Sequence, residues 1–258
     1  MLDYEKEAGD YDALRGGEAR AHEAAHAVLG LIPERPGRLL DVACGTGIVT
    51  RRLAAARPGL RVTGADLTPA MVRMAAARLP GAIVRADSRR LPFPAGSFDA
   101  VTSIWLLHLL ADPEDVRAVV AECARVLRPG GTYVTTVDKA AAHDVGSDID
   151  AVLAARPRHP AADAAGTVTA HAVRSGLRPA GHGAFRGTGQ GRSPRTTIAD
   201  LRRGWFTALP PGEPRTEEFA ARLAALPGQD RRRPDPRFSV RAFRKPAAAD
   251  ESGGLRTG

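Results

Sequence analysis

Two short stretches of this chain carry residue types at spacings that could do chemistry. In "RAHEAAHAVLG" (Arg20 to Gly30), His22, Glu23 and His26 spell H-E-x-x-H. On a helix the two imidazoles share one face and can grip zinc, while the glutamate activates a bound water. A metzincin-like site would continue x-x-Gly-x-x-His, yet Leu29 and Ile32 stand where the glycine and third histidine belong. A glutamate ligand some twenty residues further on is also missing, because a buried strand and its turn are expected there. The stretch is read as an Ala-rich helix with His22 and Glu23 at the surface, and no metal is expected.

The second stretch is "RLLDVACGTGIVT" (Arg38 to Thr50). An apolar run enters Asp41, a glycine-rich turn follows, and a helix opens after it. Gly45 and Gly47 allow tight backbone geometry and let a ligand approach the main chain without meeting a Cβ. Twenty-one residues after Gly45 the next strand ends in Asp66, placed to accept both hydroxyls of a ribose. A dinucleotide fingerprint needs a third glycine, which packs the helix close to the strand. Thr50 occupies that position, so the match to pyrophosphate binding fails.

Such a site needs elements to position it, and the pattern supplies them. "GRLLDVA", "LRVTGAD", "AIVRAD", a segment within "SFDAVTSIWLLH", and "TYVTTVD" are read as five strands. Between them, "GIVTRRLAAAR", "TPAMVRMAAARLPG" with a threonine cap, and "PEDVRAVVAECARVLRPGG" with a glycine stop are read as helices. Strand–helix alternation implies right-handed crossovers and a parallel sheet covered on both faces. "EARAHEAAHAVLGLI" is a helix before the first strand. Beyond Asp138 the regularity falls. "TVTAHAVRSGL", "TIADLRRGWFTAL" and "EPRTEEFAARLAAL" read as helices, "GHGAFRGTG" as a glycine-loosened strand, and "FSVRAFR" as a last alternating strand. There is no internal repeat.

Four separated motifs arrive in order: Asp41-Val-Ala-Cys-Gly45-Thr-Gly47, then Asp66, then "ADSRRLPFPAGSFDAV", then "RVLRPGG". Together they resemble a class I S-adenosylmethionine-dependent methyltransferase, more narrowly the ubiquinone/menaquinone-type small-molecule branch, over about residues 38–138. The fold implied is α/β: a Rossmann-like doubly wound sheet of seven strands with a reversed last strand, which "FSVRAFR" would supply. An N-terminal helix and a lid inserted after strand five complete it. A single domain over residues 1–245 is expected, with 38–138 as cofactor-binding core, 139–236 as substrate lid and 246–258 as a disordered tail. Carried over residue by residue, the resemblance puts Asp41 near the amino-acid end of S-adenosylmethionine and Gly45 and Gly47 under its sugar. It puts Asp66 on the ribose hydroxyls, with Leu67 and Met71 beside the adenine. Asp87 would accept the adenine amino group, the Ser88 backbone would contact the ring, and Ile104 and Trp105 would wall the pocket near the sulfonium. Ala43 departs from the family, which often has glycine there. In the lead-in "GDYDALRGGEAR", Tyr11 and Arg15 would close over the cofactor, Arg15 by pairing with its carboxylate. Leu67 and Met71 also fit a plain core, and Asp87 a helix cap.

Methyl transfer from a sulfonium is an in-line displacement, so a base is needed only when the acceptor arrives protonated. His108 is the best candidate for such a base, since imidazole titrates near neutrality. Its bland alternative is a packing role beside the pocket. No Asn/Asp-Pro-Pro-aromatic run follows the fourth strand, which argues against adenine or glutamine N-methylation. "FRGTGQGRSPRTT" (Phe185 to Thr197) offers Gln190, Arg192 and Arg195 to an anionic or amide-bearing acceptor, and Trp205 and Phe206 could line a lid.

At 258 residues and 43% hydrophobic the chain can bury one sizeable core. No stretch approaches the ~18 apolar residues of a membrane helix. Cys44 and Cys123 provide no disulfide framework, and the acidic start is the reverse of a secretory leader, so a cytoplasmic protein is expected. The net charge of +8 falls unevenly, +1 over residues 1–140 and +7 beyond. The basic residues are nevertheless dispersed, with few aromatics for base stacking, which disfavours nucleic acid. Arginine makes up 34 of the 37 basic residues, a bias that suggests a GC-rich bacterial source. O-methylation of a small metabolite or short peptide in specialised metabolism is the function expected. The alternatives are an RNA methyltransferase using the basic C-terminal part, and a non-catalytic cofactor-binding protein. The sequence leaves the oligomeric state open.

Overall fold

The structure, a computed structural model, describes residues 5, 12, 16–34, 37–158, 160–204, 208–209 and 212–247. Tyr11, Arg15, Trp205, Phe206 and the tail from 248 onward lie outside the described residues. In chain order the elements are α1 (Gly17–Leu29), β1 (Arg38–Val42), α2 (Ile48–Ala56), β2 (Arg61–Asp66), α3 (Pro69–Arg78), β3 (Ile83–Arg85), β4 (Phe98–Ser103), α4 (Pro113–Val126) and β5 (Leu127–Val137). Then follow α5 (Asp148–Leu153), α6 (Ala165–Arg174), β6 (Arg178–Arg186), α7 (Pro194–Arg202), α8 (Pro214–Ala224) and β7 (Arg237–Arg244).

The strands form one sheet in the order β3-β2-β1-β4-β5-β7-β6. β1 to β5 pair in parallel, whereas β7 runs antiparallel to both β5 and β6. "FSVRAFR" is thus the reversed strand, as expected. It lies between two earlier strands rather than at the sheet edge. β1 has β2 on one side and β4 on the other, so the strand order switches direction there. A crevice at the carboxyl ends of β1 and β4 is where an open α/β sheet binds its ligand.

Both faces of the sheet are covered, which is why β1 reads as a continuous apolar run rather than an alternating one. Leu40, Val42, Val101 and Tyr133 face the cluster that holds the buried stripe of α4, Val116, Val119, Val120 and Cys123. Leu39, Ala100, Val134 and Phe238 face the opposite cluster, with Ala21, Ala24 and Val28 of α1 and Leu53 of α2. Asp112 caps α4 by accepting the Glu114 N–H at 2.8 Å, and Pro113 follows at the first turn. α4 ends at Val126, so "LRPGG" begins β5 instead of stopping the helix. The backbone turns extended at Leu127, because β5 needs those residues to pair beside β4.

Three helix boundaries differ from the sequence reading. Thr68 sits at the start of α3, but its side chain makes no capping bond; Glu5 accepts the Ala70 N–H at 2.9 Å instead. α7 starts at a Ser193–Thr196 capping box and stops at Arg202, earlier at both ends than "TIADLRRGWFTAL" suggested. α5 was not legible at all. It opens on a Ser147–Asp150 capping box, and its Ile149, Val152 and Leu153 join Leu201, Phe219 and Leu223 in a small separate cluster. Within 139–236, α6 and β6 belong to the sheet layers, while α5, α7 and α8 form the small separate cluster.

No helix among the described residues is long and apolar enough to cross a membrane, and both cysteines are buried and free. Leu40 is fully buried between β2 and β4. Leu40→Ala is expected to cost about 2–5 kcal/mol in a denaturant melt, as cavity formation in a rigid core does.

Candidate functional site

Three non-glycine residues adopt positive φ among the described residues: Ala43 (56°), Trp105 (60°) and Asp138 (52°). They follow the carboxyl ends of β1, β4 and β5, and each costs about 1–2 kcal/mol in backbone strain. The flanking strands hold them there. The Cys44 N–H donates to the Ala65 carbonyl at 3.0 Å, Trp105 N–H to Thr136 Oγ1 at 2.8 Å, and Asp138 N–H to the Asp163 carbonyl at 2.9 Å. Strain concentrated along one edge of three adjacent strands marks that edge as the functional one.

The turn after β1 is built around two buried carboxylates. Asp66, at the end of β2, accepts the Gly45 N–H at 2.8 Å on one oxygen and the Thr68 N–H at 2.9 Å on the other. It therefore ties the glycine turn to the start of α3. Asp41, at the end of β1, accepts the Thr50 hydroxyl at 2.6 Å. Burial pushes Asp41 up to about 7, and the neighbouring Asp66 adds to the rise; burial also raises Asp66. Thr50, the residue that breaks a dinucleotide fingerprint, orients a carboxylate here. The close packing that a third glycine would provide falls to Gly47, where a Cβ would lie 3.0 Å from Ala75 of α3.

These residues suit a nucleoside carrying a cationic amino-acid end. A Cβ on Gly45, at φ 57°, would meet nothing within 4 Å, so the turn opens to free space. Leu67 is 55% exposed beside it, a large apolar side chain outside the core, as a ring shelf requires. The buried hydroxyl of Thr102 and indole N–H of Trp105 have no partner among the described residues. Buried polar atoms of that kind call for a bound group or water. Ile104 is buried. Trp105 stands edge-on to Phe185 and Phe238 at 5.5 and 5.7 Å, with the Arg20 guanidinium 4.0 Å from its ring centroid.

The remaining sequence candidates divide. Met71 is buried and packed with Ala70 and Met74, so its side chain behaves as core. The Asp87 carboxylate is engaged by Arg89, through its backbone N–H at 2.9 Å and its guanidinium at 2.7 Å. That ion pair holds the carboxyl below its usual range, and an adenine amino group would have to share it. Ser88 lies half-buried in the same turn. His108 is half-buried in a short 3-10 turn, Leu107–Leu109. His22 and His26 are exposed on α1. No cluster of three metal-ligating side chains occurs among the described residues. Arg195 of the 185–197 loop pairs with Asp230 at 2.7 Å.

Sequence reasoning missed a clasp over the turn. Asp12 accepts the Thr46 hydroxyl at 2.7 Å, and Arg78 donates to both Asp12 and the Thr46 carbonyl at 2.7 Å. No local signal links residues so far apart. The strain at Ala43 gives a direct test of the turn. Ala43→Gly removes the Cβ penalty at positive φ, less the added unfolded-state entropy of glycine. It is expected to raise stability by about 0.5–1 kcal/mol in equilibrium unfolding.

Residues 40–135 match the family described as "Methyltransferase domain". A demethylmenaquinone methyltransferase of Thermus thermophilus is 42% identical over 108 residues, 40% of this chain and 48% of that protein. A malonyl-[acyl-carrier protein] O-methyltransferase of Hahella chejuensis is 37% identical over 131 residues, 49% of this chain and 45% of that protein. The chain thus spans about half the length of the curated relatives it matches. Among solved structures, a Haloferax volcanii protein described as a putative methyltransferase in complex with the Trm112 activator is 21% identical. It aligns with a TM-score of 0.60 over 95% of this chain and 99% of that one. The [4+2]-cyclase SpnF is 19% identical with a TM-score of 0.61, over 95% of each chain. These two likenesses are of fold. With this strand order and the carboxylate-braced turn after β1, residues 40–135 are similar to the methyltransferase domain, and the fold is that of the solved structures above.

Proposed function

We propose that the whole chain transfers a methyl group from S-adenosylmethionine to a small metabolite or short peptide, by O-methylation. We place it in the cytoplasm, in bacterial specialised metabolism. The observation that carries the proposal is the Asp66–Gly45 tie, which shapes an open, glycine-lined turn next to a second buried acid. The relatives' names support an oxygen or carbon acceptor on a small molecule. The charge distribution supports a small acceptor over RNA. In the C-terminal part Arg186, Arg195, Arg202 and Arg233 are each paired with an acid, which reduces the charge open to a nucleic-acid backbone.

When bound, the cofactor supplies an electrophilic methyl group on a sulfonium. The chain's own residues hold and orient. Asp66 offers its remaining lone pairs to the ribose hydroxyls while keeping the turn in place through Gly45. Asp41 in its ionised form faces the positive amino-acid end. Ile104 and Trp105, fixed by Thr136, exclude water on the β4 side. Orientation of this kind can lower a barrier by roughly 7–11 kcal/mol at best. Where the acceptor arrives protonated, His108, in the turn after β4, is the side chain we assign to accept that proton.

Asp66→Asn keeps the size of the side chain and removes its charge. S-Adenosylhomocysteine affinity, measured by calorimetry, is expected to fall about 10–100-fold, the loss of a charge-assisted hydrogen bond. An unchanged affinity would remove Asp66 from the ribose. Cofactor bound tightly with no turnover of any acceptor in host extract would favour the non-catalytic alternative.

Asp41 makes binding and folding respond oppositely to pH. From about 3.8, its ordinary value, up to about 7 the folded chain keeps a proton that the unfolded chain has released. Its contribution to stability is therefore present at low pH and lost as pH rises through about 7. The ionised form is the one that attracts a cation, so S-adenosylhomocysteine should bind more tightly as pH rises through that range, by at most about tenfold per pH unit. In Asp41→Asn the profile should be flatter.

A further inference from the structure

Two crevices on the described surface are basic, and they lie at opposite edges of the sheet. One, of about 410 Å³, is lined by Arg117, Arg125, Arg174 and Lys245. Lys245 follows the end of β7 and donates to the Ala124 and Leu127 carbonyls at 2.8 Å, which puts this crevice at the amino ends of the parallel strands. The other, of about 450 Å³, is lined by Arg186, Arg231, Arg232, Arg233, Pro234 and Asp235. Arg186 ends β6, which runs parallel to β5 because both are antiparallel to β7. This second crevice therefore shares the carboxyl edge with the strained residues Ala43, Trp105 and Asp138.

Its charges do not cancel. Arg233 is buried and spent on Asp148 at 2.7 Å. Arg186 meets Asp235 at 3.1 Å while remaining 68% exposed, and the other Asp235 oxygen takes the Gly191 N–H at 2.9 Å. Arg232 donates to the Gly189 carbonyl. Exposed Arg231 forms no ion pair with the described residues. Three accessible guanidinium groups thus face one carboxylate. The surplus of two positive charges matches a phosphomonoester, which carries about −1.5 to −2 at neutral pH, and guanidinium forks suit phosphate geometry.

The crevice is also coupled to the acceptor side of the site. The loop bearing Gly189 packs on the start of α1, where a side chain at Gly189 would come within 3.5 Å of the Gly16 Cα. From that same turn Arg20 reaches over the Trp105 ring. Phe185 and Phe238, both buried, continue the aromatic packing from Trp105 to β6 and β7 beneath this edge. From β4 to β6 is three strand spacings, or roughly 14 Å.

We propose that this crevice docks a phosphoryl group carried by the methyl acceptor, holding it roughly 14 Å from the atom that is methylated. The acceptor is then a phosphorylated small molecule whose body runs from the crevice along the carboxyl edge towards Trp105. This rests on the methyltransferase reading of the same site.

The full chain saturated with S-adenosylhomocysteine is titrated with phosphopantetheine, pantetheine and inorganic phosphate. Phosphopantetheine should bind at least about tenfold more tightly than either of the others. In the Arg231→Gln/Arg232→Gln double variant that preference should vanish, with S-adenosylhomocysteine affinity unchanged; glutamine still offers a donor to the Gly189 carbonyl. Arg117→Gln, in the other basic crevice, should leave the preference intact. Equal binding of phosphopantetheine and pantetheine overturns the proposal, as does a double variant that behaves like the parent. Inorganic phosphate binding as tightly as phosphopantetheine also overturns it, and indicates a free-phosphate site instead. Failure of S-adenosylhomocysteine to bind the parent chain sinks the methyltransferase reading separately, and the phosphate arms are then read without it.

Discussion

The site depends on one carboxylate holding two backbone segments at once. Asp66 accepts from Gly45 on one side and Thr68 on the other, so the glycine turn and the start of α3 cannot move independently. Burying that charge is unfavourable, as its raised proton affinity shows, and the second acid at Asp41 makes it worse. Two buried acids beside an open turn form a negatively charged hollow before any ligand arrives. A ligand with sugar hydroxyls and an ammonium group relieves both the repulsion and the desolvation. On the proposed function, the features that cost the empty fold stability are the ones that would give such a ligand its affinity.

Strain follows the same logic along the rest of the edge. Ala43, Trp105 and Asp138 all take left-handed backbone where β1, β4 and β5 end. Each is held by a backbone bond to a neighbouring strand or loop, and Asp138 also by its own carboxylate, which accepts the Ala165 N–H at 3.0 Å. The parallel core of the sheet, buried on both faces, is stiff enough to impose those angles. Trp105 shows what the strain achieves: its ring is turned onto the buried rings of Phe185 and Phe238 and under the Arg20 guanidinium.

Charge divides along the same lines. Several C-terminal arginines are neutralised in pairs, which thins the excess of +7 beyond residue 140. It is left over in a few places, and one of them lies on the carboxyl edge next to the α5, α7 and α8 cluster. The clasp of Asp12 on Thr46 and Arg78 brings the chain's beginning over the turn from the other side.

Much of the core was legible because its signals are local. "DVACGTG", the aspartate closing the next strand, and the alternation of strands with helices depend on spacing along the chain, and spacing survives in a string of letters. Short amphipathic stretches were harder to delimit: "LRPGG" reads as a helix stop and "TIADLRRGWFTAL" as one long helix, because propensity cannot show that β5 pairs early or that Ser193 caps first. By itself the sequence determined the class of fold, the glycine turn after the first strand and the surface position of the two histidines of H-E-x-x-H, since each follows from periodicity or local backbone demand. Only the tertiary structure decided that Thr50 supports Asp41, that Met71 is core while Leu67 is not, that Asp87 is bound to Arg89, and that three arginines meet beside β6. Those outcomes depend on contacts between residues distant in sequence, where burial and charge are set by what the folded chain brings alongside.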